Sequence, residues 1–283
     1  MATVIDRPES SVPPKGEELF DRFREIISDP LNLLIERVPM AGIVADDKIT
    51  LHNGLRVPTG VYYGDFTSII AINRGVHEPL EEYVFQEVLR QLDPTQPIEM
   101  IELGSYWAHY SMWLKSRFPQ ARTTCVEPDY DNLEAGRANF ALNGMSGAFI
   151  QAMVADKKFQ IDAFLAKEPR AIDILHADIQ GYEIEMLIGS AKSLADRKIR
   201  RVFISTHSQE LHENVIEFLK KFGYRIDISS DYAEETTSCD GLIYASLPDL
   251  PPLLAGVEIM GRTAICQARP HDIVAYLGRV LAA

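Results

Sequence analysis

Acidic residues stand at the predicted ends of the first two strands of an α/β pattern. Glu102 lies two residues before Gly104, where a strand gives way to a helix, and Glu127-Pro128 ends the next strand about twenty residues later. In a parallel sheet such strand ends meet at one edge, where ligands bind. A carboxylate there accepts both hydroxyls of a ribose, so we expect Glu127 to bind a nucleoside. Asp156, after the third strand, is the expected adenine contact.

The loop after the first strand excludes one large class of nucleotides. Gly104 permits a tight turn and a close approach to the N-terminus of the following helix. A dinucleotide fingerprint needs glycine where Tyr106 stands, and Tyr106 and Trp107 would block a pyrophosphate. Carboxylates without a phosphate cradle fit a nucleoside with a cationic tail, which describes S-adenosylmethionine. The expected cofactor contacts are Glu102, Gly104, Ser105, Tyr106, Glu127, Pro128, Asp156 and Asp178.

A second group of polar residues follows the fourth and fifth predicted strands. Asp178 stands where a transferred methyl group would be, and it begins the segment Asp178-Ile179-Gln180-Gly181-Tyr182-Glu183. His207 faces the same cleft, and the usual titration range of histidine suits a general base. A purely structural His207, bonded to the backbone, is an equally good interpretation. The predicted catalytic residues are Asp178 and His207, and the predicted substrate contacts are His176, Gln180, Glu183 and His212.

The elements that position these residues alternate between short apolar strands and helices. This alternation predicts an α/β fold with a seven-stranded, mostly parallel sheet and helices on both faces. Residues 229–240 show no helical pattern, so we expect the last strand to be an antiparallel edge strand. The strand candidates are Ile98–Leu103, Thr123–Val126, Phe149–Val154, Ile172–Ala177, Arg201–Ser205, Tyr224–Ile228 and Gly241–Ala245. The helix candidates between them are Tyr110–Arg117, Asp131–Leu142, Ile184–Leu194 and Glu213–Phe222.

The flanking segments predict extensions of this main domain. Residues 1–17 are rich in Pro, Ser and Glu and indicate a flexible arm, followed by a helical pattern over 18–35 that Pro30 interrupts. Asn53-Gly54 separates two apolar runs and predicts a two-residue hairpin turn. Helices are expected from Glu81 to Leu92 and from His271 to Leu281. We therefore expect an N-terminal helix and hairpin extension over 1–80, the main domain over 81–250 and a C-terminal extension over 251–283.

Composition and charge restrict the class of partner. The chain has 283 residues and a formal net charge of −13, which argues against binding to DNA, RNA or anionic lipid. No apolar run approaches the length of a membrane span, and the first residues lack a secretory signal pattern. The three cysteines are far apart, so no disulfide framework is expected. We expect a cytoplasmic protein with a small-molecule substrate, no nucleic-acid partner and no membrane partner, and a homodimer is compatible with the sequence.

Together these motifs resemble the FkbM family of S-adenosylmethionine-dependent methyltransferases. The resemblance covers roughly residues 50–246. It implies a Rossmann-like class I methyltransferase fold and methyl transfer to an oxygen of a natural product or carbohydrate. It also implies that Glu102 and Gly104 hold the methionine portion and that Glu127 holds the ribose. The matching segments are Glu102-Leu103-Gly104, Glu127-Pro128, Asp178 to Glu183, Thr206-His207-Ser208 and Phe222-Gly223-Tyr224, preceded by Asn53-Gly54 and Gly75-Val76-His77-Glu78-Pro79.

Three departures from the family pattern affect which properties of the family can be expected of this chain. Tyr106-Trp107-Ala108 replaces the usual Asn-x-Gly, His176 replaces a common Lys, and Gln180 replaces the usual Glu. Gln180 also removes an oxygen ligand that a hard cation would prefer, so we expect no metal. The resulting prediction is an O-methyltransferase acting on a hydroxyl of a sugar or secondary metabolite. An N- or carboxyl-methyltransferase, or a non-catalytic cofactor-binding module of the same fold, is the alternative.

Overall fold

Two β-sheets are present in this computed structural model, which describes residues 22–24, 26–60, 66–154, 159–238 and 240–283. The strands are β1 (Val44–Ala45), β2 (Lys48–Thr50), β3 (Arg56–Pro58), β4 (Glu99–Leu103), β5 (Arg122–Glu127), β6 (Ala148–Gln151), β7 (Ile174–Ala177), β8 (Arg201–Thr206), β9 (Arg225–Ser230) and β10 (Gly241–Ser246). Strands β1 to β3 form a small antiparallel sheet near the front of the chain. The other seven form the main sheet, in the order β6-β5-β4-β7-β8-β10-β9.

The main sheet has the predicted mixed topology, with one difference at its last strand. Neighbouring strands from β6 to β8 pair in parallel, and β10 runs antiparallel to both β8 and β9. The α/β prediction is therefore confirmed, whereas the expected edge position of the last strand is wrong. Strand β10 inserts between β8 and β9, so its first residue, Gly241, lies beside Thr206 at the end of β8.

Helices flank the sheet. They are α1 (Thr67–Ile72), α2 (Pro79–Gln91), α3 (His109–Arg117), α4 (Tyr130–Leu142), α5 (Ile161–Lys167), α6 (Glu183–Ile188), α7 (Ala191–Ala195), α8 (Gln209–Lys221), α9 (Arg262–Gln267) and α10 (Pro270–Ala282). The single helix predicted over 184–194 is divided into α6 and α7 at Gly189-Ser190. Sequence periodicity did not predict the two-turn helix α5. Helix α8 begins four residues earlier than expected, because the Ser208 side chain caps it by accepting from the Leu211 N–H.

The front of the chain forms the predicted helix and hairpin. Residues 22–24 and 26–28 are helical, and a short 3-10 helix follows from Pro30 to Leu34. Strands β2 and β3 pair antiparallel, with Ile49 opposite Val57. The connection is longer than the predicted two-residue turn, since the Leu51 N–H donates to the Leu55 carbonyl around Asn53-Gly54.

Each face of the main sheet carries its own hydrophobic core. One core combines Phe203 and Tyr244 of the sheet with α2, α3, the front segment and α10. The other combines alternate residues of the same strands with α5, α6 and α8. Helices on both faces are therefore confirmed. None of the helices in the described parts of the chain is long and apolar enough to cross a bilayer.

Candidate active site

The loop after β4 is held against the neighbouring strand β7. The Gly104 N–H donates to the Val126 carbonyl over 2.9 Å, and the Asp178 N–H donates to the Leu103 carbonyl over 3.1 Å. Gly104 has φ +69°, and a Cβ on it would lie 1.8 Å from the Asp178 carbonyl oxygen. Only glycine fits both requirements. The structure therefore brings the predicted cofactor loop directly against the predicted catalytic Asp178.

Glu127 organises the same loop. It is 6% exposed, its Oε2 accepts from the Tyr106 N–H over 3.2 Å, and its Oε1 accepts from the Asp129 N–H over 2.9 Å. Burial raises the pKa of Glu127, while the two backbone N–H donors lower it. Each carboxylate oxygen has a second lone pair, so the group can still accept from the hydroxyls of a ribose. Its geometry fits the expected role in holding a nucleoside.

The Glu102 side chain is buried and hydrogen bonds to the protein. It is 3% exposed, and its Oε2 accepts from the Ser111 N–H in the first turn of α3 over 2.9 Å. Burial raises the pKa of Glu102, and the neighbouring His176 lowers it. Glu102 therefore joins β4 to α3 and fixes the base of the cofactor loop. Its contact with the methionine portion of a cofactor stays a prediction.

The other predicted cofactor residues differ in their exposure and in their hydrogen-bond partners. The buried Ser105 Oγ has no hydrogen-bond partner among the described residues, which fits a polar ligand at this loop. Pro128 is exposed, and its carbonyl accepts from the Gln151 side chain. Asp156 lies outside the described residues. A buried carboxylate, a buried unpaired hydroxyl and a glycine cradle are together compatible with S-adenosylmethionine at this edge.

His207 lies among three carboxylates at the adjoining strand ends. Its Nε2 is 3.3 Å from Asp178 Oδ1 and 3.6 Å from Asp240 Oδ1, and its Nδ1 is 3.3 Å from Glu183 Oε1. The predicted pairing of Asp178 with His207 in one cleft therefore has a geometric basis. Ligand atoms of Asp178, His207 and Asp240 all lie within 4.8 Å of one another, so these residues could also hold a metal ion.

The charge state of His207 changes the predicted division of roles. Burial lowers the pKa of His207, but hydrogen bonds with Asp178 and Glu183 outweigh it and raise the value to about 10. Burial and the nearby Asp178 charge raise the pKa of Asp240 to about 7. A pKa of about 10 favours the imidazolium form of His207 at neutral pH, whereas a pKa of about 7 gives Asp240 the titration range of a base. The role of His207 as the base stays a prediction.

Three predicted substrate contacts are buried behind this surface. His176 is 4% exposed, and its Nε2 lies 2.5 Å from Glu81 Oε1 beneath the site. His212 bridges Thr206 and Ser229 between α8 and the sheet. Neither side chain reaches the open surface of the site, and their contact with substrate stays a prediction.

The third buried residue supports the loop after β7. Glu183 is fully buried, and its Oε1 accepts from the Gly181 N–H over 3.2 Å as well as facing His207. It holds the loop and faces His207, and its contact with substrate stays a prediction. Gln180 is exposed at the same loop and donates to Asp178 Oδ1 over 3.0 Å. It remains a predicted substrate contact.

Asp240 is a candidate site residue that sequence reasoning missed. It immediately precedes β10, whose antiparallel direction places its start at the edge where the parallel strands end. The signal was present in the sequence, because a final strand that follows a loop instead of a helix was expected to be antiparallel. An acid just before such a strand belongs to the ligand edge, as an acid just after a parallel strand does.

The outer surface of the site is an open depression. It has a volume of about 350 Å³ and is lined by Gly181, His207, Ser208, Glu210, Leu211 and Asn214. This volume lies in the range of small-molecule sites. Of the residues in the carboxylate cluster, only His207 is among those that line the depression, so it joins the depression to the cluster.

Comparison with solved structures finds methyltransferases of low sequence identity. Ribosomal protein L11 methylase from Lactobacillus delbrueckii subsp. bulgaricus has a TM-score of 0.42 and 14% identity, over 58% of this chain and 77% of that one. Precorrin-6y C5,15-methyltransferase from Geobacter metallireducens GS-15 has a TM-score of 0.42 and 15% identity, over 58% of this chain and 89% of that one. TrmK of M. capricolum, in complex with S-adenosyl-homocysteine, has a TM-score of 0.42 and 14% identity, over 70% of this chain and 93% of that one.

The family comparison concerns the segment that carries the predicted acceptor motifs. None of the curated proteins matches the chain. Residues 136–226 match the family model described as the methyltransferase FkbM domain. This segment contains Asp178, Glu183 and His207, so the match coincides with the cluster at the ends of β7 and β8. The predicted resemblance to FkbM methyltransferases is therefore confirmed over this segment of the chain.

Proposed function

We propose that the chain methylates an oxygen atom, a hydroxyl of a small molecule such as a sugar or secondary metabolite. The observation that carries the proposal is the cluster of Asp178, His207 and Asp240, where a carboxyl group with a pKa of about 7 lies beside an imidazolium. A hydroxyl must lose its proton as it is methylated, and a base that titrates near neutral pH suits that step.

The cofactor would supply an electrophilic methyl group on a sulfonium. Gly104 and Ser105 line the loop that would hold its methionine portion, and Glu127 would accept from the ribose. Asp178 joins the two halves of the site, since its carbonyl touches Gly104 and its carboxylate faces His207. Asp178 is therefore positioned to orient an acceptor oxygen toward the cofactor, which is the main requirement of an in-line displacement.

The proton of the acceptor would pass to Asp240. The hydroxyl would hydrogen bond to Asp240 Oδ1 and pass its proton to that oxygen as it takes the methyl group, while the C–S bond of the sulfonium breaks and neutral S-adenosylhomocysteine leaves. His207, protonated throughout, would stabilise the developing negative charge on the acceptor oxygen. Glu183 holds the other ring nitrogen of His207 and so fixes the orientation of the imidazolium.

The size and charge of the site support a small acceptor. The depression of about 350 Å³ combines the apolar Leu211 with polar Ser208 and Asn214, as a hydroxylated metabolite requires. The formal net charge of −13 disfavours a polyanionic acceptor such as RNA.

A panel of acceptors tests the proposal directly. The chain would be incubated with S-adenosylmethionine and hydroxylated sugars, phenols and aliphatic alcohols, alongside amines and carboxylic acids, with S-adenosylhomocysteine and methylated product both quantified. Transfer to a hydroxyl supports the proposal. Transfer confined to amines or carboxylates, or cofactor binding without transfer to any class, would reject it in favour of the N- or carboxyl-methyltransferase or the binding module.

A further inference from the structure

Three histidines and one glutamate meet in the interior, apart from the site above. His52 comes from the hairpin loop, Glu82 from α2, His109 from the first residue of α3, and His77 from the segment before α2. His52 and His109 are each 1% exposed, and Glu82 is fully buried. The chain has seven histidines, and three of them converge on this one carboxylate.

The distances within the cluster match those between ligands of one metal ion. His52 Nε2 lies 3.3 Å from Glu82 Oε2, and His109 Nε2 lies 3.4 Å from Glu82 Oε1. Two ligand atoms on a tetrahedral Zn²⁺, with bonds of about 2.0–2.1 Å, are about 3.3–3.4 Å apart. The ligand atoms of His52, Glu82 and His109 all lie within 4.8 Å of one another.

Hydrogen bonding shows that the lone pair of His52 faces the carboxylate. His52 Nδ1 lies 3.2 Å from the Glu36 carbonyl oxygen, which can only accept, so Nδ1 carries the proton. The other nitrogen, Nε2, then presents a lone pair to Glu82 Oε2. In the neutral imidazole these two acceptors would repel each other at 3.3 Å, and either a proton on Nε2 or a metal ion between them removes the repulsion. A backbone carbonyl behind one ring nitrogen is also the arrangement that orients metal-binding histidines.

Several buried atoms of the cluster lack a conventional partner. His52 Nε2, His109 Nε2 and Glu82 Oε2 make no hydrogen bond of acceptable geometry to any described residue. Buried polar atoms are almost always paired, and leaving several unpaired in one place is costly. Ligand atoms of the three residues lie within 4.8 Å of one another, a spacing at which one cation can contact all of them.

We propose that His52, Glu82 and His109 bind a Zn²⁺ ion, while His77, whose Nδ1 contacts Glu82 Oε1, orients the shared carboxylate. Imidazole and carboxylate are ligands that Zn²⁺ prefers, and the burial of all three side chains suits a structural ion. Glu78, whose Oε2 lies 3.5 Å from His77 Nε2, supplies a second negative charge behind the ligands.

The proposed ion would join the front of the chain to the catalytic core. His52 belongs to the N-terminal extension, whereas His109 begins the helix that follows the cofactor loop. The ion would thus hold the N-terminus of α3 in place, and metal binding would contribute directly to folding stability. A surface cleft of about 410 Å³, lined in part by His52, Trp113 and Arg37, gives a route of access.

Both tryptophans of the chain lie against the cluster and would report on it. The Trp107 ring stacks on His109 with centroids 4.8 Å apart, and the Trp113 ring lies 4.5 Å from His52. Tryptophan fluorescence of the full chain should therefore be quenched when Co²⁺ replaces Zn²⁺.

The first test measures metal in the chain as purified and after dialysis against EDTA. We expect about one equivalent of Zn²⁺ per chain, a lower unfolding midpoint after its removal, and recovery on adding Zn²⁺. Loading with Co²⁺ should give the visible absorption of a tetrahedral site together with tryptophan quenching. This measurement uses the native chain, so it does not depend on any variant folding.

Variants then identify the side chains that bind the ion. Glu82→Gln and His109→Gln should lose the metal, whereas His176→Gln, which alters an equally buried histidine paired with Glu81, should retain it. Metal that persists in Glu82→Gln but is lost in Asp178→Asn would place the ion at the acceptor cluster and overturn the proposal. So would a native chain that retains no metal and shows no Co²⁺ absorption. Neither result depends on which acceptor is methylated.

Discussion

Asp240 Oδ1 lies 3.6 Å from His207 Nε2, which links the start of the antiparallel strand β10 to the end of the parallel strand β8. Because β10 inserts between β8 and β9, its first residues share the edge where the cofactor loop and Asp178 lie. An acid with a raised pKa and a histidine with a raised pKa therefore face each other across two strands. This pairing determines how the activity should respond to pH.

The rate of methyl transfer should follow a bell-shaped pH profile. Below about pH 7, where burial and the Asp178 charge place the pKa of Asp240, the base is protonated and the rate falls with decreasing pH. Above about 10, where Asp178 and Glu183 place the pKa of His207, the imidazolium loses its charge and the rate falls again. Turnover at saturating cofactor across this range checks the expectation. A rate that keeps rising through pH 10, where His207 loses its proton, would instead identify His207 as the base.

Replacing Asp240 by Asn should lower turnover by about 10²–10⁴-fold, the usual contribution of a general base. Affinity for S-adenosylmethionine should change little, because the cofactor loop lies on β4 and β5. Turnover assays measure the effect on rate, and calorimetric titration with S-adenosylmethionine measures the effect on affinity. Asp231→Asn is the matched control, since Asp231 follows the neighbouring strand β9 but caps the Glu234 N–H instead. Equal losses in both variants would contradict the assignment.

His207 should also make stability depend on pH. Its pKa is raised from 6.5 to about 10 by its carboxylate partners, so the protonated form stabilises the folded state. That stabilisation is fully present below pH 6.5 and is lost as the pH rises toward 10. Urea unfolding at pH 6 and pH 10 should show a smaller pH dependence in His207→Gln than in the native chain. An identical dependence in both would mean that His207 is not charged in the folded state.

The sequence predicted the site wherever the geometry follows from parallel strands alone. Asp178 and His207 meet because adjacent parallel strands end at the same edge, and Gly104 was recognised because a strand-to-helix turn needs its φ. Asp240 was missed because its position depends on where β10 inserts, which residue patterns do not specify. Glu82 was missed for a different reason. Helical periodicity assigns it to the polar face of α2, but the front segment covers that face and buries it.

Glu127→Gln should weaken the binding of S-adenosylmethionine by about 10–100-fold, since hydrogen bonds to a charged group contribute about 1.5–3 kcal/mol. The amide keeps one acceptor oxygen but cannot hold the Tyr106 and Asp129 N–H groups and two ribose hydroxyls together. Calorimetric titration with S-adenosylmethionine and S-adenosylhomocysteine measures the change, with Glu134→Gln on the exposed face of α4 as the control. An unchanged affinity would show that Glu127 only shapes the loop.

Gly104→Ala and Gly144→Ala separate backbone strain from close packing. The two glycines have nearly the same backbone angle, φ +69° and φ +67°, but only Gly104 has a neighbour where a Cβ would lie. Gly144→Ala should cost about 1–2 kcal/mol in the free energy of unfolding, the penalty of a left-handed conformation. Gly104→Ala should cost more, because its Cβ would displace the Asp178 backbone and separate β4 from β7.

The same displacement moves the cofactor loop away from the acceptor cluster, so turnover should fall in Gly104→Ala and remain normal in Gly144→Ala. Unfolding curves and turnover measured on both variants test this, and equal effects would mean that the contact between Gly104 and Asp178 does not hold the two halves of the site together.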